Sequence, residues 1–600
     1  MKKQWSCVLF SLVVLNSYAQ EGSKSTPTML VTASRMAEST EKVLSAYTVV
    51  TSEDIERMQA SSILDVLSMQ PGVNIRTSGG RGTTSYTSIR GDSSSHTLVL
   101  VDGVRAMSAT AGGSSISFLP VSMVERIEII RGPRAVQYGA DAMAGVINII
   151  TKPEPGEEQL RLKAGMGNRG YGQGSVRYVH QINQAMQLQA SVNEERSDGY
   201  NFKPTSTLDH DYGYDTQQAL VGGSYQINPK LQLHGKAILN RGHSEYNIAG
   251  FLGSPDSVAK TDLFQQFYVL GGDYQNDTYH SDLNVSYGID DSRDHAYHTR
   301  YVTQRYALNW INRWQFRPHW QLSGGIDGRN DDVGRSSQSY DETRRYNVAV
   351  FSQLGFDNGD YLANVSVRQD HNQRYGNDTT FGAAAGWNYL PHQQVKLSYA
   401  TAFKAPNFND LYYPGFSNPK LDPEHSNTLE LGFIGNNAWF NYEVNLYQSW
   451  YRDLVSSPAP TYIPSNVSKA RISGSEFILS GNTGPIQQKL SYVYQYGEDE
   501  NTHRQLRYVP QHSVKWQMDW DLAHWHLHSG LKWIAKQYAD VSNSVQMPSY
   551  MTLNLAVGYQ ITSRFKVNAS AHNVLDRHYD SQSTYRAPGI DTRLNATYDF

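Results

Sequence analysis

Met551-Thr552-Leu553-Asn554-Leu555-Ala556-Val557-Gly558-Tyr559 places Leu553, Leu555, Val557 and Tyr559 on one face of an extended strand. Arg593-Leu594-Asn595-Ala596-Thr597-Tyr598-Asp599-Phe600 repeats the pattern with Leu594, Ala596, Tyr598 and Phe600, and Val395-Lys396-Leu397-Ser398-Tyr399 with Val395, Leu397 and Tyr399. Segments of this kind, broken by turn residues, recur from residue 156 to the end. A period of two with a single apolar face is the dyad signature of a strand with lipid on one side and a polar lumen on the other. At roughly 20 residues per strand and connection, residues 156–600 hold about 22 antiparallel strands, enough to enclose a lumen that has to be filled. A soluble sandwich would need its second face covered, and no segment of the chain supplies that cover.

Composition agrees with a membrane barrel. No run of about 18 apolar residues follows the first twenty positions, so no transmembrane helix is expected. A closed barrel needs apolar residues only at alternate positions, and the 40 Tyr and 11 Trp suit aromatic girdles at the two interfaces. Residues 1–19 read as a secretory signal: Lys2 and Lys3, an apolar stretch from Val8 to Leu15, and Ser17-Tyr18-Ala19 before Gln20. The alternative, a membrane anchor, needs a longer run. Cys7 is the only cysteine and lies inside this signal, so the mature chain is expected to lack disulfides, thiol catalysis and cysteine-bound metals. A net charge of −4 argues against nucleic acid as a partner. Composition by itself also admits a secreted β-rich adhesin or enzyme.

Residues 35–155 differ in kind and read as a compact α+β domain. Ser52 is the expected cap of a helix over Glu53–Met58. Ser61 or Ser62 is the expected cap of a second, Ile63–Leu67, which Pro71-Gly72 stops. Strands are predicted at Thr97–Val101, Val124–Ile130 and Val146–Thr151, with Gly/Ser/Thr-rich segments at Thr77–Ser85 and Ser108–Ser117.

Several motifs in this domain resemble those of the TonB-dependent outer-membrane receptors, over nearly the whole mature chain. They are Ser88-Ile89-Arg90-Gly91, Val101-Asp102-Gly103, Glu125 through Pro133 (ERIEIIRGP), Tyr138-Gly139 and Ala144 through Thr151 (AGVINIIT), in the family's order. Barrel segments match as well: Ala402 to Asn407, Leu421-Asp422-Pro423-Glu424, Glu430, Gly474-Ser475-Glu476 and Asn573 to Asp576. The resemblance implies a transmembrane β-barrel in the outer membrane with an N-terminal α+β plug in its lumen, importing a scarce nutrient without acting as an enzyme. Within residues 20–34, Pro27, Thr28, Met29, Leu30, Val31, Thr32 and Ala33 resemble the TonB box, an extended segment suited to β-augmentation of TonB, which works with ExbB–ExbD. Pro27 stands where the family carries an acidic residue and lacks an N–H for pairing. Further implied partners are outer-membrane lipid and lipopolysaccharide, with the receptor itself a monomer.

The short plug and compact barrel are most like the family's cobalamin transporters. A corrinoid is therefore the expected ligand, with a ferric siderophore or haem as the alternative. The resemblance also implies that Arg90 and Arg131 on the plug meet Glu430 and Glu476 on the wall. Alternation supports the inward placement of Glu430, because Leu429, Leu431 and Phe433 would face lipid. Ser78, Gly79 and Gly80, and Thr110, Gly112, Gly113 and Ser114, are the candidate ligand-facing apices, since small residues admit a large ligand close to the backbone. The cobalamin transporters order loops with calcium. Here Asp209, Asp211, Asp215, Asn201, Asn247 and Asp256 are the candidate ligands, with asparagines at two positions where aspartates are expected. No G-x-S-x-G, phosphate-binding loop or H-E-x-x-H occurs, so neither hydrolytic nor zinc catalysis is predicted. The rival from another class is a passive porin or adhesin, for which neither the plug motifs nor the TonB box has a use.

Overall fold

The computed structural model describes residues 29–30, 35–36, 38–114, 116–153, 156–248, 256–437, 439–457 and 462–600. The proposed signal, Pro27, Thr28 and Val31 to Ala33 lie outside the described residues. Twenty-two long antiparallel strands form one closed barrel, joined in sequence order from Gln159–Gly167 to Asp591–Asp599. The ring closes where these two strands pair, from Arg161 opposite Asp599 to Gly167 opposite Arg593. The Phe600 N–H adds a last bond to the Leu160 carbonyl at 3.0 Å, just beyond the strand in which the sequence pattern had included it. No helix among the described residues is long and apolar enough to cross a membrane.

Connections at one end are short, such as 184–185, 229–230, 318–319 and 523–524. Those at the other include 201–211, 405–423, 535–549 and 573–590. Wall residues invert the usual rule of burial. In the strand Met186–Tyr200, Gln187, Gln189, Ser191, Asn193 and Glu195 are buried, while the intervening Val192 is 54 % exposed. Leu270, Val365 and Val221 are likewise exposed. The apolar face meets lipid, and the polar face meets the lumen. Aromatic pairs ring the short-turn end, including Trp320 with Phe356 at 5.0 Å and Trp525 with Tyr559 at 4.5 Å between ring centres.

The plug fills the lumen. Its five-stranded mixed sheet runs in the order Tyr47–Thr51, Arg126–Arg131, Gly145–Ile150, Thr97–Val101, Val104–Arg105. Only the pair Thr97–Val101 and Gly145–Ile150 is parallel. Val99, Ile127, Ile129, Ile147 and Ile149 form its core with the helices Ser52–Met58 and Ile63–Ser68. Thr51 rather than Ser52 caps the first helix, in a reciprocal capping box with Asp54. Ser62 caps the second, and Ser61 instead bonds the Asp65 side chain.

Leu555, at mid-strand in Tyr550–Gln560, points to lipid. Leu555→Arg is expected to cost about 2–4 kcal/mol of folding free energy into phospholipid vesicles, measured by urea titration. A loss below about 1 kcal/mol would contradict the lipid-facing assignment.

Candidate functional site

Among the contacts that join plug to wall, three sets stand out, and the strand alternation explains why polar groups meet there. The first contains the four residues named from the sequence. Arg90 Nη1 donates to Glu430 Oε2 at 2.5 Å, and Arg90 Nε and Nη2 donate to the two oxygens of Glu476 at 3.1 and 2.9 Å. The Arg90 guanidinium also lies 4.2 Å from the centre of the Tyr447 ring. Arg131 Nε donates to Glu476 Oε2 at 3.1 Å. Its remaining donors go to Thr48 Oγ1 (2.6 Å), the Tyr47 carbonyl (3.2 Å) and Glu443 Oε1 (3.1 Å), so Arg131 takes Glu443 and not Glu430 as its second carboxylate. Glu476 and Arg131 are fully buried. Gly72, with φ at +67°, lets the backbone pass over Glu476; a Cβ there would stand 2.5 Å from its Oε1.

Glu443 and Tyr447 escaped the sequence reading, although alternation marks them. In Asn441–Ser456, Val444 and Leu446 take the outer face, which turns Glu443, Asn445 and Tyr447 inward.

The second set centres on His96, buried between Asp92 (Nδ1 to Oδ1, 2.6 Å) and the wall residue Glu424 (Nε2 to Oε2, 3.0 Å). Lys404 Nζ donates to the same Glu424 at 3.1 Å, and the Tyr451 hydroxyl donates to Asp92 at 2.7 Å. Burial works against a charged ring, but the two carboxylates outweigh it and push the His96 pKa up to about 10.

The third set holds Arg35, two residues beyond Ala33. Its Nη1 donates to both oxygens of Asp327 at 2.9 Å and to the Gln137 carbonyl at 2.8 Å, and its Nη2 to Asn309 Oδ1 at 2.6 Å. Nearby, Met29–Leu30 pairs antiparallel with Glu38–Ser39. No local motif marks Arg35 in the sequence, since its partner lies almost 300 positions away.

The two expected apices differ. Gly79 is buried against the Phe202 ring, Gly80 lies by Tyr200, and the Ser78 hydroxyl donates to Gln582 Oε1 at 3.4 Å. Thr110 is buried rather than ligand-facing, and its carbonyl accepts from the Asn409 N–H at 3.0 Å beneath the short helix Phe408–Tyr412. Gly112 lies close to Asn407, Gly113 has open space where a side chain would project, and Ser114 bridges to Met107. Two cavities lie between the plug and the wall; both reach the strand Met186–Tyr200, and the larger extends round the wall to Thr299–Arg317. One of about 220 Å³ touches Gly79, Gly80, Tyr200 and Tyr212; one of about 730 Å³ touches Asp102, Glu125, Gln187 and Lys236.

The six candidate calcium ligands do not converge. Asp215 pairs with His243 at 2.6 Å, Asn201 Oδ1 accepts from the Lys203 N–H, and Asp209 and Asp211 are exposed. Asn247 and Asp256 do meet, through Ser206: Asn247 Nδ2 donates to its hydroxyl at 2.9 Å, which donates to Asp256 Oδ2 at 2.7 Å. Among the described residues no group of three His, Cys, Asp or Glu is placed to hold a metal ion.

Residues 161–574 match the family model "TonB dependent receptor-like, beta-barrel", and residues 39–146 match "TonB-dependent Receptor Plug Domain". The chain is 31% identical to the vitamin B12 transporter BtuB of Photobacterium profundum, with 100% of each chain covered. It is 29% identical to the BtuB of Vibrio vulnificus, covering 97% of this chain and 96% of that one. Among solved structures, a ferric enterobactin receptor mutant from Pseudomonas aeruginosa superposes with a TM-score of 0.80 at 18% identity, covering 96% of this chain and 100% of that one. The siderophore receptor PirA from Acinetobacter baumannii gives 0.79 at 18% identity, over 92% and 98%. At that identity the structures share the fold.

Removing Arg131 leaves Glu476 buried with fewer partners, so Arg131→Ala is expected to cost about 3–5 kcal/mol of plug stability. A double-mutant cycle with Glu476→Gln should show coupling, and additivity would refute the pairing. His96, with its folded pKa raised above the ordinary 6.5, stabilises the seated plug fully below pH 6.5 and loses that contribution as pH rises through 10. Resistance of the plug to proteolysis should fall across that window, and His96→Gln should flatten the fall.

Proposed function

The chain belongs to the TonB-dependent receptor family, and from that premise we propose that it imports cobalamin or a related corrinoid across the outer membrane. The observation that carries the ligand assignment is the full-length match, at 31% identity, to a protein named as a vitamin B12 transporter. A match over both whole chains includes the loops that would hold the ligand. The likeness to siderophore receptors, at 18%, extends to the fold.

In this reading the ligand binds at the long-loop end, over the Gly79–Gly80 turn and under loops 201–211, 405–423 and 573–590. The opposite end faces the periplasm, where TonB captures the segment Pro27 to Ala33 by adding a strand to its own sheet. ExbB and ExbD supply work from the inner membrane's proton gradient, since the outer membrane offers no energy source of its own. The barrel acts as a monomer in a bed of phospholipid and lipopolysaccharide.

The chain's own residues perform three tasks. Arg90 and Arg131 hold the plug's register against Glu430, Glu443 and Glu476. Arg35 keeps the N-terminal segment on the wall through Asp327. The side of the plug facing Met186–Tyr200 and Tyr212–Asn228 is the side on which a passage opens. There, neutral contacts such as Gln218 Nε2 to the Phe118 carbonyl (2.7 Å) and Ser122 Oγ to Asn193 Oδ1 (3.2 Å) stand beside the buried Arg81–Glu195 ion pair and the Lys236–Asp102 pair. No covalent chemistry enters any step.

Radiolabelled cobalamin should bind the purified protein, and cells carrying it should accumulate the label. Deletion of residues 27–33 should abolish accumulation while leaving binding intact. Tight binding of a ferric chelate with none of cobalamin would overturn the corrinoid assignment, and undiminished uptake by the deletion would overturn the energised mechanism.

A further inference from the structure

Arg76 stands apart from the other arginines described above. It lies on the plug hairpin Val73–Thr77 and Ser85–Ile89, two residues before the Ser78–Gly80 turn. Its guanidinium lies 4.5 Å from the centre of the Tyr86 ring and 4.0 Å from that of Tyr508, so two aromatic rings hold it. Tyr86 comes from the facing strand of the same hairpin, where it pairs with Arg76 across the ladder. Tyr508 comes from the wall loop 506–511. No carboxylate lies within ion-pairing distance of Arg76 among the described residues. The charged side chain that bears on it is another cation, Arg507.

The holding of Tyr508 is itself built. Tyr508 has φ at +60°, a strained value for a residue with a bulky side chain. Its N–H donates to the Tyr538 carbonyl at 2.7 Å, and its carbonyl accepts from Asn74 Nδ2 at 3.2 Å. The barrel loop and the plug thus both fix the ring that covers Arg76. Burial lowers the Arg76 pKa, the two phenols raise it and Arg507 lowers it further. Among the described residues neither Arg76 nor Arg507 has a carboxylate within 4.0 Å. Tyr508 also takes a side-chain hydrogen bond from the guanidinium, whose remaining N–H donors can meet a planar or tetrahedral oxyanion. Two uncompensated cations at the mouth of the barrel also draw an anion in from solution.

We propose that Arg76, clasped by Tyr86 and Tyr508 with Arg507 beside it, is the subsite for an anionic group of the transported ligand. Resting on the corrinoid reading above, that group is the phosphodiester in the nucleotide loop of cobalamin. The guanidinium donates to the phosphodiester oxygens, and the tyrosines keep it from swinging to other acceptors. Arg507 supplies attraction at longer range.

Cobinamide, which lacks the nucleotide loop and its phosphodiester, provides the test. Binding of cobalamin and cobinamide is measured on the detergent-purified full-length protein and on Arg76→Gln, Arg76→Lys and Arg507→Gln. Arg76→Gln should weaken cobalamin binding about tenfold or more and leave cobinamide binding unchanged, in line with the loss of a charge-assisted contact. Arg76→Lys should recover part of the loss, because it restores charge without the planar stack. Arg507→Gln should reduce the salt dependence of cobalamin binding with a smaller change in affinity. Retained barrel migration on unheated gels checks that each variant is folded. Equal losses for both ligands, or no loss for either, would overturn the phosphodiester subsite while leaving the corrinoid reading standing. Failure of the unaltered protein to bind either corrinoid would overturn that reading and the subsite with it.

Discussion

Backbone amides in a lipid interior have no water to bond, so every strand must find two neighbours and the sheet must close on itself. In this chain that requirement is met where Gln159–Gly167 pairs with Asp591–Asp599, joining the beginning of a long meander to its end. Twenty-two strands tilted into a ring leave a lumen far too wide for side chains alone to fill. A preceding domain must fill it, and that domain must meet a wall whose inner face is polar because its outer face is apolar. The polar character of the plug–wall interface is thus a consequence of the strand period.

That consequence sets how the plug is held. Inside the plug, Val99, Ile127, Ile129, Ile147 and Ile149 make an apolar core of the ordinary kind. Its seat adds to apolar contacts from wall residues such as Leu220, Ile238 and Phe267 a set of buried ion pairs, Arg81, Arg90, Arg131, His96 and Arg35 against wall carboxylates. Burying two charges costs much of what their attraction returns, so the seated state gains little net free energy from them. Breaking one partner out of the set is expensive, however, since it strands a charge. An interface of this kind stays closed against thermal motion and still does not commit the plug irreversibly, as a continuous apolar interface of the same area would.

Much of this was legible in the sequence because it follows from periodicity. The strand at Tyr550–Gln560, the inward turn of Glu430 and the approximate strand number all come from a repeat of two, which local sequence displays. The plug strands Thr97–Val101, Arg126–Arg131 and Gly145–Ile150 were likewise visible, with ends shifted by one or two residues. The four arginine and glutamate positions came from resemblance, and the wall residue that Arg131 shares with no other arginine, Glu443, did not. Loop chemistry was the least readable. Thr110 looked like an apex residue from composition, yet the helix Phe408–Tyr412 buries it, a contact spanning about 300 residues of chain. Asp209, Asp211 and Asp215 looked like a cation cluster, but alternation on the strand Tyr212–Asn228 sends Asp215 to the side of His243. Sequence proximity carries little information about convergence when neighbouring residues point to opposite faces.

Distance along the chain also explains how events at the two ends of the barrel can be linked. Arg35, on the N-terminal segment, bonds the Gln137 carbonyl of the short helix Ala135–Tyr138. Arg105 bonds the Ala140 carbonyl at 3.0 Å and Asp141 at 2.8 Å, just past the same helix. Asp141 lies 3.8 Å from Arg329, which shares Asp331 with Arg305, and Arg305 donates to the Met107 carbonyl at 3.1 Å, at the base of the 108–114 apex. The series crosses from plug to wall between Asp141 and Arg329 and returns to the plug between Arg305 and the Met107 carbonyl, so a plug shift disturbs it at both crossings. Contiguity does not by itself establish coupling. It does define what coupling requires: a ligand over the apex changes the exposure of the N-terminal segment only so far as it binds the two arrangements of these pairs unequally, and by reciprocity capture of that segment must then alter the ligand's affinity by the same factor.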